Sequence, residues 1–276
     1  MSTQQQTDLA SIITDAWSRT DSVKEPEVRD AVVETIARLD RGELRLADKT
    51  TGEWTVNTWV QHAINLYFRV PPMETLRSGV FEYHDKLPLK KDLAKQGIRA
   101  VAGAVIRYGS HLEPGTVCLP SFVNIGAYVG TGTLVDTWAT VGSGAQVGRN
   151  VHIAGGVGIG GVLEPPGARP NIVEDNVFLG SRCILVEGML IEEGAILGAN
   201  VSLTGSTHII DVTKEKPVTY KGRVPARAIV VPGTRPRKFP GGEYQLSCAL
   251  IIGYRSERVE TKVALMQAAR DFDIDI

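Results

Sequence analysis

The sequence predicts a mainly β protein in which a coil of short parallel strands follows a helical N-terminal domain. The main sign is a run of apolar residues at intervals of six that begins at Val117. This period matches neither the 3.6 residues of a helical turn nor the alternation of an extended strand. The 276 residues also include 29 glycines and only 6% aromatics, which favours a repetitive fold with tight corners.

The first 100 residues form the predicted N-terminal, mainly helical domain. Gly42 is a natural helix stop, and a short strand-and-turn passage follows it. Apolar residues have helical spacing over residues 9–17, 28–39 and 59–68.

The six-residue repeat predicts a prism of parallel strands with three short faces per turn. The apolar residue of each hexad points into a narrow core, and successive coils stack at about 4.8 Å, so that equivalent residues lie on one another. The repeat consists of Val117, Val123, Val129, Val135, Val141, Val147, Ile153 and Ile159, and then of Val173, Leu179, Leu185, Ile191 and Leu197 in a new phase.

Two interruptions of the repeat predict loops that leave the prism. The first, near residues 162–171, is too rich in proline for a ladder strand. The second, near residues 204–227, carries several basic residues. We therefore predict that the coil occupies residues 101–235 and that a small C-terminal segment with a strand and a helix occupies residues 236–276.

The composition argues against several classes of function. With 30 basic and 31 acidic residues the chain is close to neutral, which gives no support for binding to nucleic acid or to a membrane surface. No apolar stretch has the length of a membrane span, and the N-terminus does not read as a signal peptide, so we expect a cytoplasmic protein. The cysteines are widely spaced and read as reduced thiols: Cys118, Cys183 and Cys248.

Three longer stretches give the repeat a family resemblance. They are VNIGAYVGTGTLVDTWATVGS (123–143), GGVGIGGVLEPP (155–166) and YKGRVPARAIVVPGT (220–234). The hexad array resembles that of acyltransferases that fold as left-handed parallel β-helices, and the stretches resemble those of the tetrahydrodipicolinate N-succinyltransferases. The resemblance covers nearly the whole chain.

This resemblance implies a reaction of bacterial lysine and diaminopimelate biosynthesis. The enzyme would transfer a succinyl group from succinyl-CoA to the nitrogen of (S)-2,3,4,5-tetrahydrodipicolinate, giving N-succinyl-2-amino-6-oxopimelate and CoA. It also implies a homotrimer with active sites between subunits, with succinyl-CoA as co-substrate and no permanently bound cofactor or metal.

The resemblance further implies that Arg99 and Asp136 contact the dicarboxylate substrate. Acyl transfer from a thioester to nitrogen needs a proton acceptor, and a carboxylate such as Asp136 can serve. An Asp also suits a tight corner, but the adjacent Trp138 and the matched motif favour a functional role. Backbone N–H groups at Gly155 and Gly156 could approach an oxyanion or the cofactor closely.

At one position the sequence departs from the family pattern, because Ile184 replaces a glutamate treated as a catalytic partner. Glu187 or Glu164 could substitute for that glutamate, or Asp136 could act alone; Glu187 could equally be a solvated surface residue. Arg182 suits a carboxylate, with a surface ion pair as its alternative.

The basic second loop offers candidates for the CoA phosphates. We favour Lys221 and Arg223 over Lys214 and Lys216, although a solvated basic loop is the ordinary explanation of such a run.

Other functions remain open from the sequence. A carbonic anhydrase on the same coil would need three convergent histidines, and only His152 lies within the repeats. A non-enzymatic scaffold would not need the two loops. The main alternative is a related N-acyltransferase that uses acetyl-CoA or another amino-dicarboxylate, and Ile184 is the reason to keep it.

Overall fold

The computed structural model describes residues 3–50, 52–163, 168–256 and 261–271. Its N-terminal part is a three-helix unit, as predicted, with a short ladder between the second and third helices and an unpredicted hairpin after the third. Gly42 ends the second helix in the left-handed conformation, with φ of 74°. The elements are α1 (Thr3–Trp17), a 3₁₀ turn (Ser22–Lys24), α2 (Pro26–Arg41), β1 (Ala47–Asp48), β2 (Thr55–Val56), α3 (Thr58–Tyr67), β3 (Glu74–Ser78) and β4 (Phe81–Asp85).

The central part is a left-handed parallel β-helix of two-residue strands, which confirms the predicted fold class. Each strand pairs in parallel with the equivalent strand of the next coil, as Tyr128 does with Gln146. The strands are β5 (Arg99–Ala100), β6 (Val105–Ile106), β7 (His111–Leu112), β8 (Val117–Cys118), β9 (Phe122–Val123), β10 (Tyr128–Val129), β11 (Leu134–Val135), β12 (Thr140–Val141), β13 (Gln146–Val147), β14 (His152–Ile153), β15 (Gly158–Ile159), β16 (Ile172–Val173), β17 (Phe178–Leu179), β18 (Ile184–Leu185), β19 (Leu190–Ile191), β20 (Ile196–Leu197) and β21 (Ser202–Leu203).

The C-terminal part closes the end of the coil with a long antiparallel hairpin and a helix. Its elements are β22 (Ile209–Asp211), β23 (Val218–Tyr220), β24 (Arg223–Val224), β25 (Ala228–Phe239), β26 (Gly242–Tyr254) and α4 (Thr261–Asp271). The predicted boundary between residues 235 and 236 is wrong, since it falls inside β25. That strand starts as part of the coil, where Ile229 pairs with Ile196, and continues straight out of it.

Three sheets form the faces of the prism. The first has ten strands in the order β23-β22-β26-β25-β20-β17-β14-β11-β8-β5. The second has the order β21-β18-β15-β12-β9-β6, and the third β24-β19-β16-β13-β10-β7. The second residue of each coil strand from β6 onward is buried and points into one continuous core.

The predicted starting point of the repeat is wrong by one residue. Val135 pairs with Cys118 rather than Val117, and Cys118 is fully buried while Val117 is only half-buried. The corner between Cys118 and Val123 contains Pro120, whose ring fixes φ near −65°. It has no residue in the left-handed conformation that other corners use, and is one residue shorter. The coil also extends further back than the repeat indicated, to β5, where Arg99 pairs in parallel with Val117.

The N-terminal helices pack on one corner of the prism, the corner between the second and third sheets. Ile125 and Val162 from this corner share a hydrophobic cluster with Leu46 and Ile64 of the N-terminal unit. A Cβ on Gly126, whose φ is 77°, would lie 2.5 Å from the Ile64 side chain. Glycine is therefore needed there for the close approach. We call the corner formed by 125–126, 143–144, 161–162 and 187–188 the Gly126 corner.

Each of the two predicted loops lies in a coil that is longer than the regular one. Gly158 pairs with Thr140 on one side and with Ile184 on the other, a coil eight residues longer than the regular one. Residues 164–167 of this first loop, including Glu164, lie outside the described residues. The second interruption forms the antiparallel ladder of β22 and β23. No helix of the described part of the chain is long and apolar enough to cross a membrane.

Candidate active site

Most of the predicted site residues lie on a single corner of the prism, the corner between the first and second sheets. Asp136 follows β11 at this corner, and equivalent positions in the next coils follow β14, β17 and β20. Backbone hydrogen bonds join the coils here: the Gly156 N–H donates to Thr137 O (2.9 Å) and the Arg182 N–H to Gly155 O (3.0 Å). We call 136–138, 154–156, 180–182 and 198–200 the Asp136 corner.

The Asp136 carboxylate is half-buried and held by its own turn. Its Oδ1 accepts hydrogen bonds from Thr137 N (2.6 Å) and from Thr137 Oγ1 (3.1 Å). Its Oδ2 has no partner among the described residues. One oxygen is therefore fixed by the corner while the other is available to a ligand. The sequence reasoning missed Thr137, although a hydroxyl residue after an Asp is a common turn pair.

Trp138 occupies the position of the corner that requires a left-handed backbone. Its φ is 60°, its side chain is 78% exposed, and its N–H donates to Pro120 O (2.7 Å). A left-handed conformation costs a residue with a Cβ about 1–2 kcal/mol, and burial of this ring does not repay that cost. A large aromatic ring held in solvent on strained backbone is a feature that functional sites tolerate.

Arg182 takes the same strained position two coils further on, with φ of 62°. Between them, Gly156 has φ of 71° and contributes no side chain. A Cβ on Gly156 would contact the Arg182 side chain at 3.3 Å. The Trp138 ring and the Arg182 guanidinium thus project from coils that lie about 9.6 Å apart. The coil between them has only glycine at this position.

Ile184 starts the strand after Arg182 and lies on the outer face of the second sheet. It pairs with Gly158, and its Cδ1 would lie 2.9 Å from a Cβ placed there. The side chain is 39% exposed. An apolar surface therefore stands beside the Asp136 corner.

The structure does not bring every predicted residue to this corner. Arg99 is exposed in the first sheet. It pairs with Val117, which in turn pairs with Leu134, so Arg99 lies two coils before the coil of Asp136. Glu187 lies on the Gly126 corner, where its Oε2 accepts a hydrogen bond from Gly205 N (3.1 Å). Within one chain a full sheet face separates the carboxylates of Asp136 and Glu187.

The two predicted CoA-binding residues of the basic loop lie in different sheets. Arg223, in the third sheet, forms an ion pair of 2.5 Å with Glu192. Lys221 is exposed at the end of β23, which belongs to the first sheet. Lys214 pairs with the buried Asp211 at 3.5 Å.

His152 and the buried cysteines have structural surroundings. The His152 ring lies tilted against the Phe178 ring on the outside of the first sheet, with ring centroids 5.0 Å apart. Burial raises the pKa of the Cys118 thiol to about 12 and that of Cys183 to about 11. These buried thiols stay protonated at neutral pH and are poor nucleophiles. Among the described residues no group of three or more His, Cys, Asp and Glu could hold a metal ion.

Two family profiles match the chain. The profile described as tetrahydrodipicolinate N-succinyltransferase N-terminal matches residues 8–70, which is the three-helix unit. The profile described as hexapeptide repeat of succinyl-transferase matches residues 170–205, which covers the second block of the coil.

Whole-length relatives carry one common name, 2,3,4,5-tetrahydropyridine-2,6-dicarboxylate N-succinyltransferase. The protein from Thioalkalivibrio sulfidiphilus is 46% identical over 95% of this chain and 98% of its own length. The proteins from Pseudoalteromonas translucida and Tolumonas auensis are 43% and 45% identical, each over 96% of this chain and 99% of their own.

The identity to these relatives extends through both the helical unit and the coil, so it is not the similarity of hexad repeats alone. The chain therefore belongs to the family of tetrahydrodipicolinate N-succinyltransferases.

Proposed function

We propose that this chain is an acyl-CoA-dependent N-acyltransferase that moves the succinyl group of succinyl-CoA to the nitrogen of tetrahydrodipicolinate. The products are N-succinyl-2-amino-6-oxopimelate and CoA, an early step of lysine and diaminopimelate synthesis. The observation that carries the proposal is the 46% identity over 95% of the chain to a relative of that name.

The reaction needs one proton acceptor and one site for negative charge. Water first adds across the C=N bond of tetrahydrodipicolinate, so that the nitrogen carries a hydrogen and the neighbouring carbon a hydroxyl group. This nitrogen attacks the thioester carbonyl, the new C–N bond forms, the C–S bond breaks and CoA leaves as the thiolate, which takes up a proton. The ring C–N bond then breaks while the hydroxyl proton passes to the nitrogen, which leaves the 6-oxo group of the open-chain product. Asp136 accepts the proton from the nitrogen through its free Oδ2, and a positioned acceptor of this kind contributes about 10²–10⁴-fold in rate.

The oxyanion of the tetrahedral intermediate requires a backbone donor at the same corner. The Gly156 N–H already donates to Thr137 O, whereas the Gly155 N–H has no partner among the described residues. A Cβ on Gly155 would contact only Thr137 O, at 3.4 Å, so the space beside this residue is otherwise open. The oxyanion role therefore falls to Gly155, and Gly156 keeps the corner narrow.

Charge and shape around Asp136 suit a substrate with two carboxylates and a donor with one more. Arg182 and Arg99 offer guanidinium groups, which bind carboxylates through two parallel hydrogen bonds. Trp138 offers a flat apolar surface for the ring of the substrate. Lys221 and Arg223 are the candidates from the second loop for the CoA phosphates, and Arg223 would first have to leave Glu192.

We further propose a cytoplasmic homotrimer whose active sites lie between subunits. The reason lies in the separation of Asp136 and Glu187 within one chain. Two prisms packed side by side would bring the Asp136 corner of one against the part of its neighbour's Gly126 corner around Glu187, which is exposed. Glu187 of the neighbour would then supply the second carboxylate that the Ile184 position lacks.

Ile184 supports a second candidate donor, acetyl-CoA. Its exposed apolar side chain offers no hydrogen bond to the carboxylate of a succinyl group, and a shorter acyl chain would lose nothing there. A related amino-dicarboxylate in place of tetrahydrodipicolinate is the other form of this candidate.

One assay separates the donors. The purified protein is incubated with tetrahydrodipicolinate and either succinyl-CoA or acetyl-CoA, and CoA release is followed with a thiol reagent. We expect release with succinyl-CoA. Release with acetyl-CoA alone would overturn the succinyl assignment, and release with neither would overturn both.

A further inference from the structure

The long hairpin of β25 and β26 carries a group of positive side chains on one face. β25 pairs with β20 at its start and then runs past the Asp136 corner without turning. We call the group formed by Lys221, Arg235 and Arg237, together with the neighbouring imidazole of His208, the cationic face.

Strand register places the two arginines on the same side of the hairpin. Arg235 lies opposite Leu246, and Arg237 lies opposite Tyr244. Residues two apart in a strand project to the same face, so both guanidinium groups point the same way. The alternation Arg-Pro-Arg in the sequence is the signal that could have revealed this pair.

Lys221 and the imidazole of His208 join them across the sheet. Ile209 pairs with both Ala249 and Tyr220, so the preceding residue, His208, lies beside Cys248 and Lys221. The pKa of His208 is lowered, first by partial burial and then by the positive charges of Arg235, Lys221 and Arg237. Cys248 faces Gly233, which lies two residues before Arg235 on the same face.

No acidic side chain in the described part of the chain neutralises this face. Among the described residues Lys221, Arg235 and Arg237 form no ion pair, whereas Lys214 and Arg223 each have an acidic partner. The Nε of Arg235 is buried and has no hydrogen-bond partner in the described part of the chain.

The acidic residue of the hairpin points away from the face. Glu243 lies opposite Lys238, on the other side of the two strands. Like charges that face one another with unsatisfied donors indicate a site for an anion.

We propose that the cationic face binds the phosphate groups of the acyl-CoA donor. The inference rests on the proposed function and adds Arg235, Arg237 and His208 to Lys221 as the residues that hold the nucleotide end. Both ends of the donor then lie along the first sheet. The Asp136 coil and β25 are four strands apart, about 19 Å, and the extended arm between thioester and diphosphate bridges them.

The test compares donors that differ only in phosphate. Succinyl-CoA, succinyl-dephospho-CoA and succinyl-pantetheine are assayed with wild type and with the double variant R235Q/R237Q. We expect the KM for succinyl-CoA to rise at least about tenfold in the variant with kcat unchanged, since hydrogen bonds between charged groups are among the strongest in proteins. The kcat/KM for succinyl-pantetheine should not change.

The matched control is K238Q, which removes one positive charge from the opposite face of the same strand. It should leave the KM for every donor unchanged. Equal losses in R235Q/R237Q for succinyl-CoA and succinyl-pantetheine would overturn the proposal, as would equal losses in K238Q. A loss for succinyl-CoA but not for the dephospho form would assign the face to the 3′-phosphate, and equal loss for both would assign it to the diphosphate.

Calorimetry with CoA alone separates this inference from the proposed function. Suppose that wild type transfers no acyl group but binds CoA, and that R235Q/R237Q binds CoA at least about tenfold more weakly. The cationic face then binds phosphate, although the proposed reaction is wrong. If wild type is active and both proteins bind CoA equally, the function stands and the face does not bind phosphate.

Discussion

Two corners of the same prism use the same backbone position in opposite ways. At the Gly126 corner, Gly126 and Gly144 take left-handed backbone and let the helices approach. At the Asp136 corner, Trp138 and Arg182 take that conformation and hold large side chains in solvent. The first corner uses glycine for packing, and the second accepts strain to project side chains. The comparison indicates that the Asp136 corner was shaped for a ligand.

The largest effect should come from Asp136→Asn. Asparagine can still accept the hydrogen bonds from Thr137, so the fold should remain while the proton acceptor is lost. We expect kcat to fall by about 10²–10⁴-fold with little change in Tm. Turnover and thermal unfolding measured on the same preparation check this, and a rate near that of wild type would reduce Asp136 to a turn residue.

Glu187→Gln should have the next largest effect. This variant tests whether the Gly126 corner also contributes to the chemistry. If a neighbouring copy supplies Glu187, we expect kcat to fall by about 10²-fold. Subunits of Glu187→Gln and Asp136→Asn, unfolded together and refolded as mixed oligomers, should regain activity in about a quarter of the sites.

The recovery of activity on mixing shows whether the two carboxylates of a site come from one subunit or from two. Recovery of activity requires that one subunit provides Asp136 and another provides Glu187. A large loss in Glu187→Gln without recovery on mixing would mean that both carboxylates act from one chain, which contradicts their placement. A Glu187→Gln protein with unchanged kcat would leave Asp136 acting alone or with Glu164.

The smallest effect, and the sharpest comparison of the corners, concerns stability. Trp138→Gly removes the strain at φ of 60° and should raise the free energy of unfolding by about 1 kcal/mol while it raises the KM for the dicarboxylate. Gly126→Ala at the other corner should lower the free energy of unfolding by about 1–3 kcal/mol, because the new methyl group meets Ile64. Chemical denaturation measures both, and a destabilised Trp138→Gly protein would mean that the ring is part of the fold.

The sequence predicts the prism well because its core repeats and the period alone identifies it. The error at Val117 has a local cause: Val117 and Cys118 are adjacent small apolar residues, and only the short corner at Pro120 decides between them. The predicted boundary after residue 235 divides the β25–β26 hairpin. β25 begins as a regular coil strand, and nothing in its sequence indicates that it continues straight out of the coil.

The site was only partly predictable for a related reason. Asp136, Trp138, Gly155 and Gly156 meet because the repeat stacks them, so counting in sixes places them together. Arg182 and Glu187 follow a coil that is eight residues longer than the regular one, so counting alone does not assign them to a corner. The cationic face depends on pairing between β22, β23, β25 and β26, which no periodicity encodes.

The hairpin that closes the coil has a consequence for the protein in solution. A stack of parallel strands ends in unpaired N–H and C=O groups on its last coil, and such edges invite other chains to add on. Here β26 and β22 cover the end of the first sheet, and β26 turns back as the antiparallel partner of β25 rather than starting another coil. The C-terminal segment thus acts as a stop against end-to-end polymerisation, and loss of this segment would favour fibres over discrete particles.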